Sequence, residues 1–274
     1  MALKTVDKII RYVVIVLAAA LAVVALHYTI RIFITDTFTV KGPSMEPCYH
    51  TGDRIRVNKL LLGARIYTDY DFTKSELRSF RMPGLRGMRR GEPAVLNFPY
   101  ANTNDTINFR INYVYMKRCF GLPGDTVRIV GGHYIDPETG GRLGNCHYQD
   151  ILSSTPDSLL RMRGVVLSAY RHARTGWTIR DFGPFFIPSE GDEVELNPLN
   201  VALYGKMIQY ETGQRPELVH GDVFIGDSAA RRYRFRTNWY FFGGDNVLDS
   251  RDSRYFGPVP EEYIIGILSA RCRR

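Results

Sequence analysis

The chain has 274 residues, 45% of them hydrophobic, which is enough for one membrane segment and one or two modest domains. Its formal net charge of +8 fits anionic lipid, nucleic acid or simple solubility. The sequence has no zinc-finger spacing, no RNA-binding aromatic motif and no dense block of basic residues. We therefore expect no nucleic-acid partner.

The first predicted element is an uncharged apolar run, Tyr12 to Ile30. As a helix it would span about 28 Å, close to the hydrocarbon thickness of a bilayer. Three basic residues precede it: Lys4, Lys8 and Arg11. Only Arg31 follows at once, so the positive-inside bias places residues 1–11 in the cytoplasm and the rest outside. No second run of this kind occurs, which predicts a single-pass protein.

A cleaved signal peptide is the alternative interpretation of the same run. The small residues Ala18 to Ala20 would fit a cleavage site. We favour an uncleaved anchor, because the run is long and because Ile30 to Val40 is itself apolar-rich, as a membrane-proximal strand would be.

Beyond the anchor, the sequence predicts a mainly β body. Short stretches rich in β-branched and aromatic residues alternate with Gly, Pro and Asp. The predicted strands are 33–40, 54–57, 94–98, 111–116, 126–130, 192–196, 222–225 and 264–268. Helices are predicted only at 159–170 and 200–209. Many short strands with frequent turns favour a β-barrel or sandwich-like core.

Two stretches read as additions to this core. Residues 60–110 are rich in Arg, Gly and polar side chains, which predicts a peripheral insertion. Residues 131–220 separate two of the motifs described below and are predicted to form a smaller inserted cap domain. The core then comprises 31–130 and 221–274, after the anchor at 12–30.

Ser44 follows Gly42 and Pro43, which favour a turn that exposes a hydroxyl. A serine hydroxyl is a weak nucleophile and needs a base. Pro43 has no N–H, so the backbone donors for an oxyanion hole would be Ser44 and Gly42, each typically worth ~3 kcal/mol. Taken alone, this segment is more typical of a surface turn.

Lys117 ends an alternating strand face that also carries Tyr113 and Tyr115. A free lysine is protonated at neutral pH, whereas burial among apolar groups lowers its pKa. Lys117 is therefore a candidate base for Ser44. The alternative is a lysine that extends to solvent from a strand edge.

The segment Gly243 to Gly257 is polar and turn-rich. Within it, Asp252 and Arg254 could form an ion pair that braces the loop, and Ser250 could orient a neutral lysine amine. A solvated hairpin loop is the alternative.

Other catalytic and metal chemistries have little support in the sequence. None of the six histidines lies in a recognisable Ser/His/Asp context, and no metal-ligand spacing occurs. The four cysteines are Cys48, Cys119, Cys146 and Cys272. An extracytoplasmic location permits disulfides, but the spacing fixes no pairing and buried free thiols are the alternative.

Together these segments resemble the bacterial type I signal peptidases, also called leader peptidases. The anchor matches, and four segments correspond in order to S-M-x-P, G-D-x-x-x-V-x-K, K-R-x-x-G-L-P-G-D and G-D-N…S-x-D-S-R-Y-x-G. In this chain they are Gly42–Pro47, Gly52–Lys59, Lys117–Asp125 and Gly244–Gly257.

The resemblance implies an endopeptidase in a β-rich catalytic core that removes signal peptides after small residues (Ala-x-Ala). Ser44 would be the nucleophile and Lys117 the general base, supported by Ser250, Asp252 and Arg254. Apolar residues that match the substrate pockets are Phe38, Val40, Met45, Tyr115 and Met116.

The resemblance implies no cofactor and no metal. The expected partners are exported preproteins, membrane lipids and the secretion translocon. The expected location is the bacterial inner membrane, with the catalytic domain in the periplasm.

The chain departs from the family pattern at several positions. Gly42 stands where many members carry a serine that helps to bind the oxyanion, so backbone N–H groups alone would serve here. Cys48 replaces a threonine, and Val247 with Leu248 replaces a more polar pair after G-D-N, which leaves the loop conformation open. Residues 60–110 are also longer than in minimal members.

Two further functions remain open from the sequence. One is a Ser/Lys peptidase specialised for a single pro-protein. The other is a catalytically silent, membrane-anchored binding protein on the same scaffold, which the intact serine and lysine argue against. The self-cleaving repressors also use a Ser/Lys pair, but a membrane anchor disfavours them.

Overall fold

A computed structural model describes residues 2–71, 73–74, 76, 78–100 and 106–268. Helix α1 (Ala2–Phe33) extends beyond the predicted apolar run at both ends. Its part from Val6 to Phe33 has a mean hydropathy of 2.7, its most apolar stretch has no residue buried by the described parts of the chain, and it is long and apolar enough to cross a membrane. The helix is therefore compatible with a membrane anchor.

Seven strands form one antiparallel sheet in the order β1-β2-β17-β5-β6-β15-β16. They are β1 (Thr35–Thr39), β2 (Arg54–Asn58), β5 (Pro93–Asn97), β6 (Val114–Gly121), β15 (Trp239–Gly243), β16 (Val259–Pro260) and β17 (Ile264–Leu268). The first and last parts of the chain thus build the same sheet. Strand β1 follows α1 directly, so this sheet begins where the apolar helix ends.

The other ten strands form four smaller sheets. They are β3 (Arg65–Tyr67) with β4 (Ser79–Arg81); β7 (Thr126–Val130) with β8 (His133–Ile135) and β9 (Phe182–Phe186); β10 (Glu193–Glu195) with β14 (Arg232–Arg234); and β11 (Pro216–Val219) with β12 (Asp222–Ile225) and β13 (Ser228–Ala229). The remaining helices are α2 (His147–Ser154), α3 (Asp157–Met162), α4 (Pro198–Thr212) and α5 (Ser253–Phe256).

The predicted mainly β fold with one N-terminal apolar helix is confirmed. All eight predicted strands have counterparts, although the one predicted at 111–116 begins only at Val114. The helix predicted at 200–209 lies within α4, where Asn197 caps the N-terminus by accepting from Asn200 N–H at 2.9 Å. The helix predicted at 159–170 is wrong beyond Met162, because Gly164 turns the chain with a φ of +79°.

The predicted peripheral insertion is wrong at its C-terminal end. Strand β5 falls within 60–110, yet all five of its residues are buried and it lies between β17 and β6. The β3–β4 hairpin also docks on the sheet region, because Arg81 donates hydrogen bonds to the carbonyls of Glu261 and Ile264. The arginine-rich composition of this range predicted an exposed segment. The guanidinium group of Arg81 instead donates hydrogen bonds to backbone carbonyls.

The largest hydrophobic cluster joins the region predicted as a cap to the main sheet. It packs Phe185 and Leu203 from the 131–220 range with Phe120 and Phe241 from the seven-stranded sheet. The two regions therefore share one hydrophobic cluster. Their division into a core and a cap domain stays a prediction.

Candidate active site

Ser44 lies in the loop that follows β1, in a turn that several hydrogen bonds hold in place. The N–H of Val40 donates to the carbonyl of Asp53 at 2.9 Å, and the N–H of Gly52 donates to the carbonyl of Val40 at 3.0 Å. The backbone N–H of Asn246 donates to the Ser44 carbonyl at 3.1 Å. The serine loop is thereby fixed to the segment after β15.

Lys117 reaches Ser44 from the middle of β6. Its backbone pairs with Ala94 of β5, and its side chain points into the protein with only 3% exposure. The Nζ atom lies 2.6 Å from the Ser44 Oγ, with Nζ as donor. The structure thus brings together the two residues that the sequence analysis singled out as nucleophile and base.

The environment of Lys117 favours the neutral amine. Burial lowers the pKa of Lys117 to about 8, well below its usual 10.5. The carboxylate of Asp252 opposes this shift, whereas the guanidinium of Arg254 adds to it. A lysine with this pKa is partly neutral near neutral pH and can accept a proton from Ser44.

Asp252 and Arg254 form a bidentate ion pair, and both side chains are wholly buried. Arg254 Nε and Nη2 each lie 2.8 Å from a different carboxylate oxygen, and Nη1 donates to the Val247 carbonyl at 2.9 Å. Gly244 N–H donates to the same carboxylate at 3.0 Å. Burial tends to raise the pKa of Asp252, but Arg254 and Gly244 together hold it below its usual range.

Ser250 is buried close to the Ser44 backbone. A Cβ added to Gly244 would fall 2.3 Å from the Ser250 Oγ and 2.5 Å from the Ser44 carbonyl oxygen, so only glycine fits between them. Among the described residues, the Ser250 hydroxyl makes no hydrogen bond of ordinary geometry, although it lies close enough to the Asp252 carboxylate to help hold the pKa of Asp252 low. The predicted bond from Ser250 to the Lys117 amine is therefore not formed here, and the supporting role of Ser250 stays a prediction.

A second buried ion pair braces the site, and neither of its residues was predicted from the sequence to have a role there. Arg118 Nε and Nη2 both lie 2.5 Å from carboxylate oxygens of Asp245, and Nη1 donates to the Gly91 carbonyl at 2.6 Å. Arg118 follows Lys117 on β6, while Asp245 precedes Asn246. The dipeptides Lys-Arg and Gly-Asp in the two motifs were the available signal.

Four of the five predicted substrate-pocket residues lie together. Val40 and Met45 are buried in one cluster, against which Phe38 and Met116 pack. Tyr115 lies on the opposite face of β6 from Met116, because successive side chains of a strand alternate. The Lys117 Nζ lies 5.3 Å from the centroid of the Tyr115 ring. Their role in binding substrate remains a prediction.

Backbone donors are available beside Ser44. Gly42 has a φ of +79°, and the N–H groups of Gly42 and Ser44 donate no hydrogen bond within the described parts of the chain. An oxyanion formed at Ser44 could therefore accept from them.

The described residues contain no group of three His, Cys, Asp or Glu side chains placed to hold a metal ion. Cys119 and Cys146 are free thiols, and the Cys48 sulfur lies 3.6 Å from Arg118 Nη2. Cys272 lies outside the described residues.

Comparison with protein families identifies a match to the signal peptidases of peptidase family S26. The match covers residues 9–149 and 187–272, which is most of the chain and includes Ser44, Lys117 and the Asp252–Arg254 pair. Between the two matched ranges, residues 150–186 have no match, and they lie within the range predicted as a cap. We call this stretch the unmatched segment.

Three proteins illustrate the similarity. Signal peptidase I of Pseudomonas aeruginosa is 30% identical over 86% of this chain and 64% of its own length. Signal peptidase I of Buchnera aphidicola subsp. Baizongia pistaciae is 23% identical over 91% of this chain and 73% of its own. A crystal structure of a signal peptidase I from Enterococcus faecalis V583 is 19% identical, covering 67% of this chain and 97% of that one, with a TM-score of 0.29.

Proposed function

This chain belongs to the signal peptidases of family S26 and is a serine endopeptidase of signal peptides, and we propose that Ser44 is its nucleophile and Lys117 its general base. The observation that carries the assignment is the 2.6 Å separation of Lys117 Nζ and Ser44 Oγ at a buried position. The lowered pKa of Lys117 supports its role as a base.

In the proposed mechanism, neutral Lys117 removes the proton of Ser44 while Oγ attacks the scissile carbonyl carbon. The carbonyl oxygen takes up the negative charge and accepts hydrogen bonds from the backbone N–H groups of Ser44 and Gly42. Collapse of this intermediate breaks the C–N bond, and protonated Lys117 gives its proton to the departing amine. The mature protein leaves and the signal peptide remains as an ester on Ser44.

In the second half of the reaction, hydrolysis of the ester returns the enzyme to its starting state. Lys117, neutral again, removes a proton from water as the water oxygen attacks the ester carbon. The bond to Ser44 Oγ breaks, Oγ regains a proton from Lys117, and the signal peptide leaves with a new carboxylate.

The apolar cluster beside the dyad supports cleavage after small residues. The side chains of Val40 and Met45 are buried, and Phe38 and Met116 pack against them. Strand β1 ends the sheet and pairs only with β2 among the described strands, so an extended substrate can add along its outer side. We propose Ala-x-Ala as the preferred sequence before the cleaved bond.

The anchor supports work at a membrane. The distribution of basic residues around α1 favours a cytoplasmic N-terminus and a catalytic body on the periplasmic side of the inner membrane. Lipid would then surround α1, and the secretion translocon would deliver exported preproteins to the body.

The proposed function is tested with the full chain in proteoliposomes and a preprotein that carries an Ala-x-Ala site. The wild type should release a mature protein whose new N-terminus follows the second alanine, and the Ser44→Ala variant should release none. Cleavage of only one pro-protein would favour the specialised peptidase. A folded wild type that cleaves no signal sequence would instead support the silent binding protein.

A further inference from the structure

A cleft of about 340 Å³ opens within the unmatched segment, on elements that the proposed catalysis does not use. Its wall carries three arginines, Arg161 at the end of α3 and Arg171 and Arg174 on the next turn, together with the half-buried ring of Trp177. We call this feature the arginine cleft.

The arginine cleft has a surplus of positive charge. The side chains of Arg161, Arg171 and Arg174 are exposed and form no ion pair with any described residue. The one acidic residue in the wall, Asp157, lies 3.0 Å from the Nε of Arg180 and is already paired. Three guanidinium groups are thus left to face solvent without a partner anion.

The turn that presents two of these arginines has an unusual backbone. Tyr170 and Arg174 flank a single 3₁₀ turn, and both adopt left-handed conformations, with φ values of 39° and 51°. Such conformations are costly for residues other than glycine and persist only when the surroundings impose them.

The surroundings of Tyr170 do impose this conformation. Its hydroxyl donates to the Leu203 carbonyl at 2.7 Å, and its backbone N–H donates to the Arg254 carbonyl at 2.8 Å. Tyr255 adds a hydrogen bond from its hydroxyl to the Val166 carbonyl at 2.9 Å. The turn is therefore preorganised, and it rests on the loop that carries the Asp252–Arg254 pair.

The chemistry of the arginine cleft selects its ligand. A guanidinium binds carboxylate or phosphate oxygens through two parallel hydrogen bonds. The floor is apolar, because Leu167 and Ala169 are buried beneath it. Exposed arginines on two separate elements above an apolar floor suit a chain of spaced carboxylates better than a single compact phosphate.

We propose that the arginine cleft binds an acidic peptide segment. Glutamate or aspartate side chains of the segment pair with Arg161, Arg171 and Arg174, while its backbone and apolar side chains lie against Trp177. This site goes beyond the proposed peptidase activity and does not depend on it.

The test measures peptide binding with the full-length Ser44→Ala protein in nanodiscs of neutral phosphatidylcholine, so that cleavage plays no part. The probe is a fluorescein-labelled peptide of alternating glutamate and alanine, followed by fluorescence anisotropy. Changing Arg171→Glu and Arg174→Glu together should weaken binding by about tenfold or more. The matched control changes Arg128→Glu and Arg231→Glu, two exposed arginines outside the cleft, and should weaken binding by less than about twofold.

Three results would overturn the proposal. The first is equal weakening in the cleft and control variants, and the second is equal binding of a peptide with glutamine in place of glutamate. The third is recruitment of phosphatidylglycerol vesicles through Arg171 and Arg174 without peptide binding, which would assign the cleft to anionic lipid.

Discussion

The Lys117 Nζ and the Ser44 Oγ lie 2.6 Å apart, although the two residues come from different parts of the sheet region. Lys117 is fixed by strand pairing within β6, whereas Ser44 is held through its carbonyl by Asn246. Burial of the amine links catalysis, pH and stability, because the same desolvation that makes Lys117 a base also makes its protonated form costly.

The rate of cleavage should depend on the protonation of Lys117. Only the neutral amine can accept the Ser44 proton, and the pKa of Lys117 is lowered to about 8. We expect kcat/KM to rise by about tenfold per pH unit below this value and to level off above it. A profile that stays flat from about pH 6 to about pH 9, with circular dichroism showing a folded protein throughout, would contradict the role of Lys117 as base.

Replacing Lys117 should stabilise the protein at neutral pH. The folded pKa of Lys117 is below the unfolded value, so the unfolded state binds more protons and stability rises as pH increases through this window. Lys117→Met should raise the free energy of unfolding by about 2–3 kcal/mol at pH 7 and by less than about 1 kcal/mol near pH 10. Urea unfolding of both proteins at the two pH values measures the difference, and a gain that grows with pH would refute the assignment.

Ser250 should matter for rate and not for stability. Its buried hydroxyl makes no hydrogen bond of ordinary geometry with a described residue, so Ser250→Ala should change the melting temperature little. If the hydroxyl orients the lysine amine during turnover, kcat should fall by about tenfold or more.

Ser253 provides the matched control for Ser250. Its hydroxyl accepts a hydrogen bond from the Phe242 N–H at 3.0 Å, so Ser253→Ala should cost about 1 kcal/mol of stability. If Ser250→Ala lost as much stability as Ser253→Ala and kept full kcat, Ser250 would be a structural residue.

The Asp252–Arg254 pair should be critical for folding stability. Arg254→Ala leaves the Asp252 carboxylate buried without its partner, which should cost about 3–5 kcal/mol. Arg128→Ala, at an exposed position, should change stability by less than about 0.5 kcal/mol. Thermal unfolding compares the two, and a loss from Arg254→Ala no larger than the control would show that the pair is dispensable.

The parts of the fold and site that local chemistry determines were predictable from the sequence. Alternating apolar residues predicted the strands. The nucleophile and the base were indicated by the resemblance of the segments around Ser44 and Lys117 to motifs of a known family, because the turn and the strand taken alone favoured neither role. These features depend on residues within a few positions of one another, where periodicity and turn chemistry are informative.

Features that depend on distant contacts were not predictable. The central place of β5 follows from pairing with β17 and β6, which lie on either side of it only after folding. The Arg118–Asp245 pair joins residues 127 positions apart, and although each residue lies in a motif, nothing local indicates that the two contact each other. The same holds for the Ser250 hydroxyl, because its position depends on how the loop closes over Gly244.

The most direct test of the central claim is single-turnover cleavage of a preprotein by the Lys117→Ala variant in proteoliposomes at about pH 9, beside the wild type. If Lys117 is the base, the variant should bind the preprotein and stay folded but lose at least about 10²–10⁴-fold in rate. A folded Lys117→Ala variant that cleaves at the wild-type rate would contradict the Ser44–Lys117 mechanism.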